Sequence, residues 1–311
     1  IILIIVGCGA LIKGADWLVE GASSIAKRFG ISDLVIGLTV VALGTSMPEF
    51  VVNMVSVANG ATELAITNVL GSNIINIFII LGLSAVVYPI ASQKRSRHFD
   101  IPYSILAAIV VLVCVLINGD GINRAAGIVM VILFVVFLHN TFKNAKSTDN
   151  PQEETIVAQP QPIWKALIAI VGGLLGLIIG GELIVKSAVD IATRLGVSEA
   201  IIGLTIVALG TSLPELATSV IAAMKKNADI ALGNVVGSNI FNIFLILGTS
   251  AVIKPLPAYQ GLALDACMAA FGSVLVWLFI QTNRQRKLTR WGGATLLLCY
   301  AAYLTYRIVT L

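Results

Sequence analysis

Two carboxylates lie inside long apolar stretches of the sequence, at matching places in a repeated motif. Glu49 ends the segment 44–49 (GTSMPE), and Glu215 ends the segment 210–215 (GTSLPE). A charged side chain at the centre of a bilayer costs at least about 2.5–3.5 kcal/mol on insertion scales, so such residues normally face a cavity or a partner. Because the pair recurs in two copies of one motif, we favour a functional site over a purely structural contact.

Each carboxylate follows a proline, which affects the backbone around it. Pro48 and Pro214 donate no N–H and clash with the carbonyl four residues earlier, so they release carbonyls from the helical ladder. Released carbonyls must find partners or line a polar cavity within the membrane. Carboxylates, hydroxyls and carbonyls are hard oxygen ligands that suit Na⁺ and Ca²⁺. The oxygens expected beside the two carboxylates are the hydroxyls of Thr45, Ser46, Thr211 and Ser212 and the carbonyls of Ala42 and Ala208.

A second polar stripe recurs in another pair of apolar stretches. Its residues are spaced four apart and therefore share one helical face. We favour cation ligation for Ser72, Asn76, Ser238 and Asn242. For the neighbouring amides we favour hydrogen bonds between helices, which polar residues commonly provide in membranes. Those amides are Asn68, Asn73, Asn234 and Asn239.

The composition is that of a polytopic membrane protein. Of 311 residues, 58% are apolar and 12% are charged, against about 25% charged in soluble domains. The basic residues lie in short loops, which excludes a nucleic-acid-binding face. No G-x-S-x-G element is present and neither histidine lies near the GTS segments, so an enzyme is not expected.

The chain divides into ten apolar runs separated by polar clusters, each long enough for a bilayer crossing. They lie near 1–26, 31–58, 64–90, 101–117, 123–141, 163–193, 198–223, 229–253, 260–280 and 291–309. The polar stretch 143–162 reads as a linker between a first five-helix unit, 1–142, and a second, 163–311. The predicted fold class is therefore an all-α polytopic membrane protein with ten transmembrane helices.

A shift of 166 residues aligns the second unit with the first. Segments 37–49 and 203–215 agree at 11 of 13 positions, and segments 68–90 and 234–256 agree at 16 of 23. The duplicated cores therefore span 37–90 and 203–256. Five crossings are an odd number, so the two copies must enter the membrane from opposite sides. We expect two inverted repeats, an arrangement typical of secondary transporters.

Basic residues predict the orientation. With both termini outside, fourteen Lys and Arg residues fall at inner loops and helix ends and four fall at outer ones. Short loops rich in Lys and Arg face the cytoplasm. We therefore expect a multi-pass protein of the cell (inner) membrane with both termini extracytoplasmic and a cytoplasmic 143–162 linker.

The paired GTS-x-PE and NV-x-GSNI-x-NIF segments resemble the α-repeats of the cation/calcium exchanger superfamily, most closely the prokaryotic sodium/calcium exchangers. The resemblance implies eight core helices around a diamond of cation sites and two long helices, 1–26 and 163–193, that slide past the core. It also implies bidentate roles for Glu49 and Glu215. The other implied ligands are the hydroxyls of Thr45, Thr211, Ser46, Ser212, Ser72 and Ser238, the carbonyls of Ala42 and Ala208, and the amide oxygens of Asn76 and Asn242.

Two other features bear on the resemblance. The second copy has Thr218 and Ser219 where the first has Val52 and Asn53, which puts peripheral polar contacts of the first copy in question. Glycines recur every seven residues in the first long helix and every four in the second, and such ridges permit close packing. They are Gly7, Gly14 and Gly21, and Gly172, Gly176 and Gly180.

The expected function is antiport of Na⁺ against Ca²⁺ by alternating access, electrogenic and independent of K⁺. K⁺ independence is expected because both mid-plane residues of the implied site, Asn76 and Asn242, are amides, whereas some relatives, including potassium-dependent ones, have Asp at the position of Asn242. The expected partners are Na⁺, Ca²⁺ and the lipid bilayer, with no cofactor, no nucleic acid and a functional monomer. A Ca²⁺/H⁺ antiporter of the same fold is the first alternative. A cation channel is the alternative from another class.

Overall fold

Helices make up most of the chain in the computed structural model, which describes residues 2–118, 121–145, 161–194 and 208–310. The helices are α1 Ile2–Phe29, α2 Asp33–Thr45, α3 Met47–Ala58, α4 Thr62–Val87, α5 Ser96–Leu116, α6 Arg124–Lys143, α7 Ile163–Arg194, α8 Ala208–Thr211, α9 Leu213–Met224, α10 Ala228–Ile253, α11 Leu262–Thr282 and α12 Arg290–Thr310. Within these described ranges, four two-residue strands lie in the connections: β1 Ile90–Ala91, β2 Gly121–Ile122, β3 Leu256–Pro257 and β4 Lys287–Leu288.

Local sequence signals explain where several helices begin. Ser32, Asn123 and Asn227 are N-caps, and each side-chain oxygen accepts a hydrogen bond from the backbone N–H three residues later. Such caps satisfy an N–H group that has no partner within the helix. Gly261 precedes α11 with a φ of 103°, a left-handed conformation that glycine adopts without steric cost.

The helices differ in how far they are buried, and this locates the core. In the most apolar stretches of α10 and α4, 94% and 78% of the residues are buried, whereas the value is 28% for α6 and α7. The polar stripes therefore lie on the two central helices, α4 and α10. Helices α5, α6 and α11 pack against this pair, and α7 packs mainly on α1. The outward faces carry large apolar side chains such as Ile5, Ile132 and Val171.

The ten predicted spans rest on the length of the apolar runs. Among the described residues, seven helices are long and apolar enough to cross a membrane, and the bent pair α2–α3 makes eight. The remaining two expected runs contain α8 with α9, and α12. Part of the seventh expected run, 198–207, and most of the expected linker, 146–160, lie outside the described residues.

Connections predicted to share a side of the membrane meet one another. At one end, β1 pairs antiparallel with β4, and Ser32 N donates to the carbonyl of Ala145 at 3.2 Å. At the other end, β2 pairs antiparallel with β3. These connections therefore lie at two ends of the molecule, as expected if successive helices cross the membrane in opposite directions.

The long helices α1 and α7 pack closely along glycines. A Cβ at Gly14 would lie 2.7 Å from the carbonyl oxygen of Gly173, and one at Gly7 would lie 2.8 Å from that of Gly180. One detail differs from the predicted four-residue ridge: Gly172 faces the Trp17 ring, and Gly173 makes the close approach. The ridge of α7 follows 173, 176 and 180 because a helix repeats every 3.6 residues.

Candidate cation site

The helix breaks predicted at the GTS segments position both carboxylates. α2 and α3 meet at Ser46 with a bend of 46°, and Pro48 lies in the first turn of α3, where its missing N–H costs no hydrogen bond. Ser212 has nearly the same backbone angles, and Pro214 lies in the first turn of α9. Glu49 and Glu215 therefore lie in first helical turns, where the positive end of the helix dipole favours a negative charge.

The backbone at the first break differs from the expectation in one respect. The Ala42 carbonyl, predicted to be released, accepts the Ser46 N–H at 3.0 Å and lies 3.3 Å from the Thr45 hydroxyl. The bend begins only after Ser46, so the bond from residue 46 back to 42 survives. Ala208 is the first residue described after a gap, and its ligand role stays a prediction, as does that of Ala42.

Crossed hydrogen bonds bring the two carboxylates to one place. Ser46 Oγ donates to Glu215 Oε1 at 2.9 Å, and Ser212 Oγ donates to Glu49 Oε1 at 3.4 Å. Ser72 Oγ also donates to Glu49 Oε1 at 3.4 Å. Each bend therefore contacts the carboxylate of the other copy, and the breaks in α2–α3 and α8–α9 face each other.

Further hydroxyls adjoin the carboxylates. Thr211 interacts with Glu49, and Thr45 and Ser238 lie beside Glu215. The Ser238 hydroxyl makes no hydrogen bond of normal geometry there. The structure thus groups every predicted hydroxyl ligand around the two carboxylates.

Four of the predicted ligand oxygens are buried without a donor. Within the described residues, Glu49 Oε2, Glu215 Oε2, Asn76 Oδ1 and Asn242 Oδ1 have no hydrogen-bond partner. Both glutamates are completely buried, and the two amides are 0–1% exposed. Burying a carboxylate oxygen without a partner is expensive. Bound cations would compensate that cost with the oxygen chemistry that Na⁺ and Ca²⁺ prefer.

The helices carrying the amides are locally widened. π-Helical turns span Asn76–Leu81 in α4 and Phe241–Leu247 in α10. Single π-helical turns within α-helices are frequent at functional sites. The sequence pattern did not predict these turns, because their residues are as apolar as the surrounding helix.

The amides assigned to interhelical bonding make such bonds. Asn234 Nδ2 donates to Ser219 Oγ at 2.9 Å, and Asn68 Nδ2 donates to Asn53 Oδ1 at 2.7 Å. Asn53 thus supplies in the first copy the acceptor that Ser219 supplies in the second. The peripheral contact that the sequence put in question is therefore present, with an amide in place of a hydroxyl.

One residue outside the predicted ligand set resembles the predicted ligands in being buried with an unbonded oxygen. Thr218 lies three residues after Glu215 on α9, is fully buried, and its hydroxyl makes no hydrogen bond to any described residue. The i, i+3 spacing on a helix could have identified it.

Comparison with known proteins agrees with this geometry. The chain matches the family model described as sodium/calcium exchanger protein over residues 1–143 and 165–309. It is 37% identical over 309 residues to the putative antiporter CaxA of Alkalimonas amylolytica, covering 97% of this chain and 96% of the relative. It is 32% identical over 341 residues to the sodium/calcium exchanger MaX1 of Methanosarcina acetivorans, covering 97% of each. The solved structure of the sodium-calcium exchanger NCX_Mj is similar with a TM-score of 0.84 and 36% identity, covering 97% of this chain and 96% of that one.

Proposed function

The chain belongs to the sodium/calcium exchanger family, and we propose that it exchanges Na⁺ for Ca²⁺ through one shared site between Glu49 and Glu215. The observation that carries the proposal is the pair of crossed serine–carboxylate bonds, which bring one buried carboxylate from each copy to the same place. The exchangers among its relatives and structural neighbours support the same activity. The protein is a transporter and not an enzyme.

The proposed ligands are hard oxygens from both copies. Glu49 and Glu215 contribute two carboxylate oxygens each, and their unpartnered Oε2 atoms support this role. The remaining ligands are the hydroxyls of Thr45, Thr211, Ser46, Ser212, Ser72 and Ser238, the amide oxygens of Asn76 and Asn242, and the carbonyls of Ala42 and Ala208.

The proposed architecture is two inverted five-helix repeats, 1–142 and 163–311, with ten transmembrane helices. Its support is the 166-residue shift between copies together with reciprocal contacts between matching residues. Gly7 approaches Gly180 and Gly14 approaches Gly173, and these two contacts exchange under that shift. In this arrangement both termini are extracytoplasmic, the 143–162 linker is cytoplasmic, and the monomer resides in the cell (inner) membrane.

Charge counting indicates when the exchange would be electrogenic. Two carboxylates carry −2, which one Ca²⁺ or two Na⁺ would neutralise, and a third Na⁺, which the family resemblance implies, would leave the loaded site at +1. Such an exchange moves one net charge per cycle, which is worth about 2.3 kcal/mol per 100 mV of membrane potential. With amides rather than carboxylates at 76 and 242, transport should not require K⁺.

The decisive experiment is ⁴⁵Ca²⁺ uptake into Na⁺-loaded proteoliposomes. Uptake should follow the outward Na⁺ gradient, persist without K⁺, and be lost in Glu49→Gln and Glu215→Gln. Glu63→Gln is a matched control, because Glu63 is an exposed carboxylate in the first turn of α4. Uptake driven by a pH gradient without Na⁺ would instead indicate the Ca²⁺/H⁺ antiporter, and Ca²⁺ flux without any counter-ion would indicate a channel.

A further inference from the structure

Two asparagines outside the proposed ligand set bond reciprocally across the centre of the core. Asn73 Nδ2 donates to the backbone carbonyl of Asn239 at 3.1 Å, and Asn239 Nδ2 donates to the backbone carbonyl of Asn73 at 3.3 Å. Both residues are buried. A backbone carbonyl can only accept, so each of these side chains must direct its nitrogen toward it. The orientation of both amides is thereby determined by the backbone.

The opposite ends of these amides contact the mid-plane asparagines. Asn242 Nδ2 donates to Asn73 Oδ1 at 3.0 Å, and Asn76 Nδ2 donates to Asn239 Oδ1 at 3.0 Å. Since an amide oxygen can only accept, the atom facing it must be the nitrogen of the mid-plane amide. The oxygens Asn76 Oδ1 and Asn242 Oδ1 are consequently the buried atoms left without a partner.

We propose that Asn73 and Asn239 are positioning residues that make the amides of Asn242 and Asn76 present oxygen, and not NH₂, to the transported cation. The inference rests on the proposed ligand roles of those two amides. A rotated amide would direct two hydrogens toward the cation and would place its oxygen against another oxygen. The two bonds therefore preorganise the site, because each amide already has the orientation that ligation needs.

The pairing is crossed, and this gives it a specific signature. Asn73 orients Asn242, whereas Asn239 orients Asn76. Replacing the side chain of Asn73 leaves its backbone carbonyl in place, so the bond from Asn239 persists and Asn76 keeps its orientation. Each positioning residue should therefore couple to one mid-plane amide and not to the other.

The test is a set of double-mutant cycles on the KM for Ca²⁺ in Na⁺-driven ⁴⁵Ca²⁺ uptake by the full chain. Asn73→Leu is close in size to the native residue and should raise KM about tenfold, the effect of one lost hydrogen bond, while Vmax changes less than twofold. In an Asn242→Leu background the same change should add nothing further, because no amide is left to orient. In an Asn76→Leu background, Asn73→Leu should still raise KM about tenfold, in addition to the effect of Asn76→Leu itself.

Controls separate positioning from general damage. Asn53→Leu removes an equally buried amide that bonds Asn68 and the Ala65 carbonyl, and its effect on KM should be the same with and without Asn242. If Asn73→Leu does not fold, Asn73→Ala is measured in the same cycles.

Equal fold-changes for Asn73→Leu in all three backgrounds would overturn the proposal, as would a loss of Vmax with no change in KM. Glu49→Gln and Glu215→Gln distinguish a failure of the positioning proposal from a failure of the proposed cation site. If these variants abolish uptake while the crossed pattern is missing, the positioning role fails and the cation site stands. If they retain Na⁺-driven uptake, the cation site itself fails.

Discussion

A single methyl group at Gly14 should destabilise the contact between α1 and α7. A Cβ there would lie 2.7 Å from Gly173 O, 2.9 Å from Leu177 N and 3.1 Å from Gly176 C, all of them backbone atoms. Ordinary contact begins at 3.4 Å, so the two helices would have to separate by roughly 0.7 Å, and gaps of that size forfeit a quarter to a half of the dispersion energy. Since no flexible side chain can yield, we expect Gly14→Ala to cost about 1–3 kcal/mol of unfolding free energy, the usual penalty for overpacking.

The measurement is unfolding in mixed detergent and SDS micelles, followed by tryptophan fluorescence. Gly9→Ala is the control, because a Cβ at Gly9 would meet no described atom within 4 Å outside the backbone of its own helix. The change therefore removes only a flexible backbone position from the same helix. If α1 and α7 move as one unit over the core, the new methyl group is strained equally in both end states. The exchange rate per folded molecule should then change less than threefold. Equal stability of the two variants would refute the packing argument.

Two further predictions concern polar contacts at opposite ends of the molecule. Lys225 forms ion pairs with two acidic side chains of α1 and is partly exposed, so Lys225→Met should cost no more than about 1 kcal/mol of unfolding free energy, and the difference from wild type should shrink in 0.5 M salt. Tyr259 donates a hydrogen bond to Asp265, and burial together with the charge of that carboxylate raises the pKa of Tyr259 above its ordinary value. Because the folded protein then holds this proton more tightly than the unfolded chain, its stabilising effect is complete below about pH 10 and is lost as the pH rises further. The thermal midpoint between pH 9 and pH 11 should accordingly fall more steeply in the wild type than in Tyr259→Phe; parallel curves would contradict the assigned contact.

The sequence predicted the helix breaks at both GTS segments because proline chemistry is local. The run expected at 31–58 is α2 and α3, joined at Ser46, and the expected 64–90 run is Thr62–Val87. Both the apolar runs and the proline rule depend on neighbours along the chain. Predictions of this kind need no knowledge of tertiary contacts.

The contacts across the core could not be predicted in the same way. The bond from Ser46 to Glu215 joins residues 169 apart, and no residue pattern indicates which serine reaches which carboxylate. The same holds for the surviving Ser46–Ala42 bond, which depends on where within the motif the bend begins. The duplication predicted that the two halves meet. Which atoms touch is determined by how the ends of α2, α3, α8 and α9 pack at the two helix breaks.

The close match between the two repeat cores, 37–90 and 203–256, raises the question of what makes one end of the molecule differ from the other. The proposed ligands correspond residue for residue under the 166-residue shift, so the proposed site would offer cations nearly the same atoms from either side. The difference must come from contacts outside it. The connection after α9 contacts α1 through two side chains. Lys225 forms ion pairs with Asp16 and Glu20. Asn227 donates a hydrogen bond to Ser23 Oγ at 3.1 Å. The matching positions in the first copy hold Asn59 and Ala61, which carry no positive charge for such a pair. If α1 moves over the core during transport, these contacts are made in one end state and weakened in the other. The energy difference between the two end states then depends on these contacts of the second half of α1, and it can change without altering any of the proposed cation ligands.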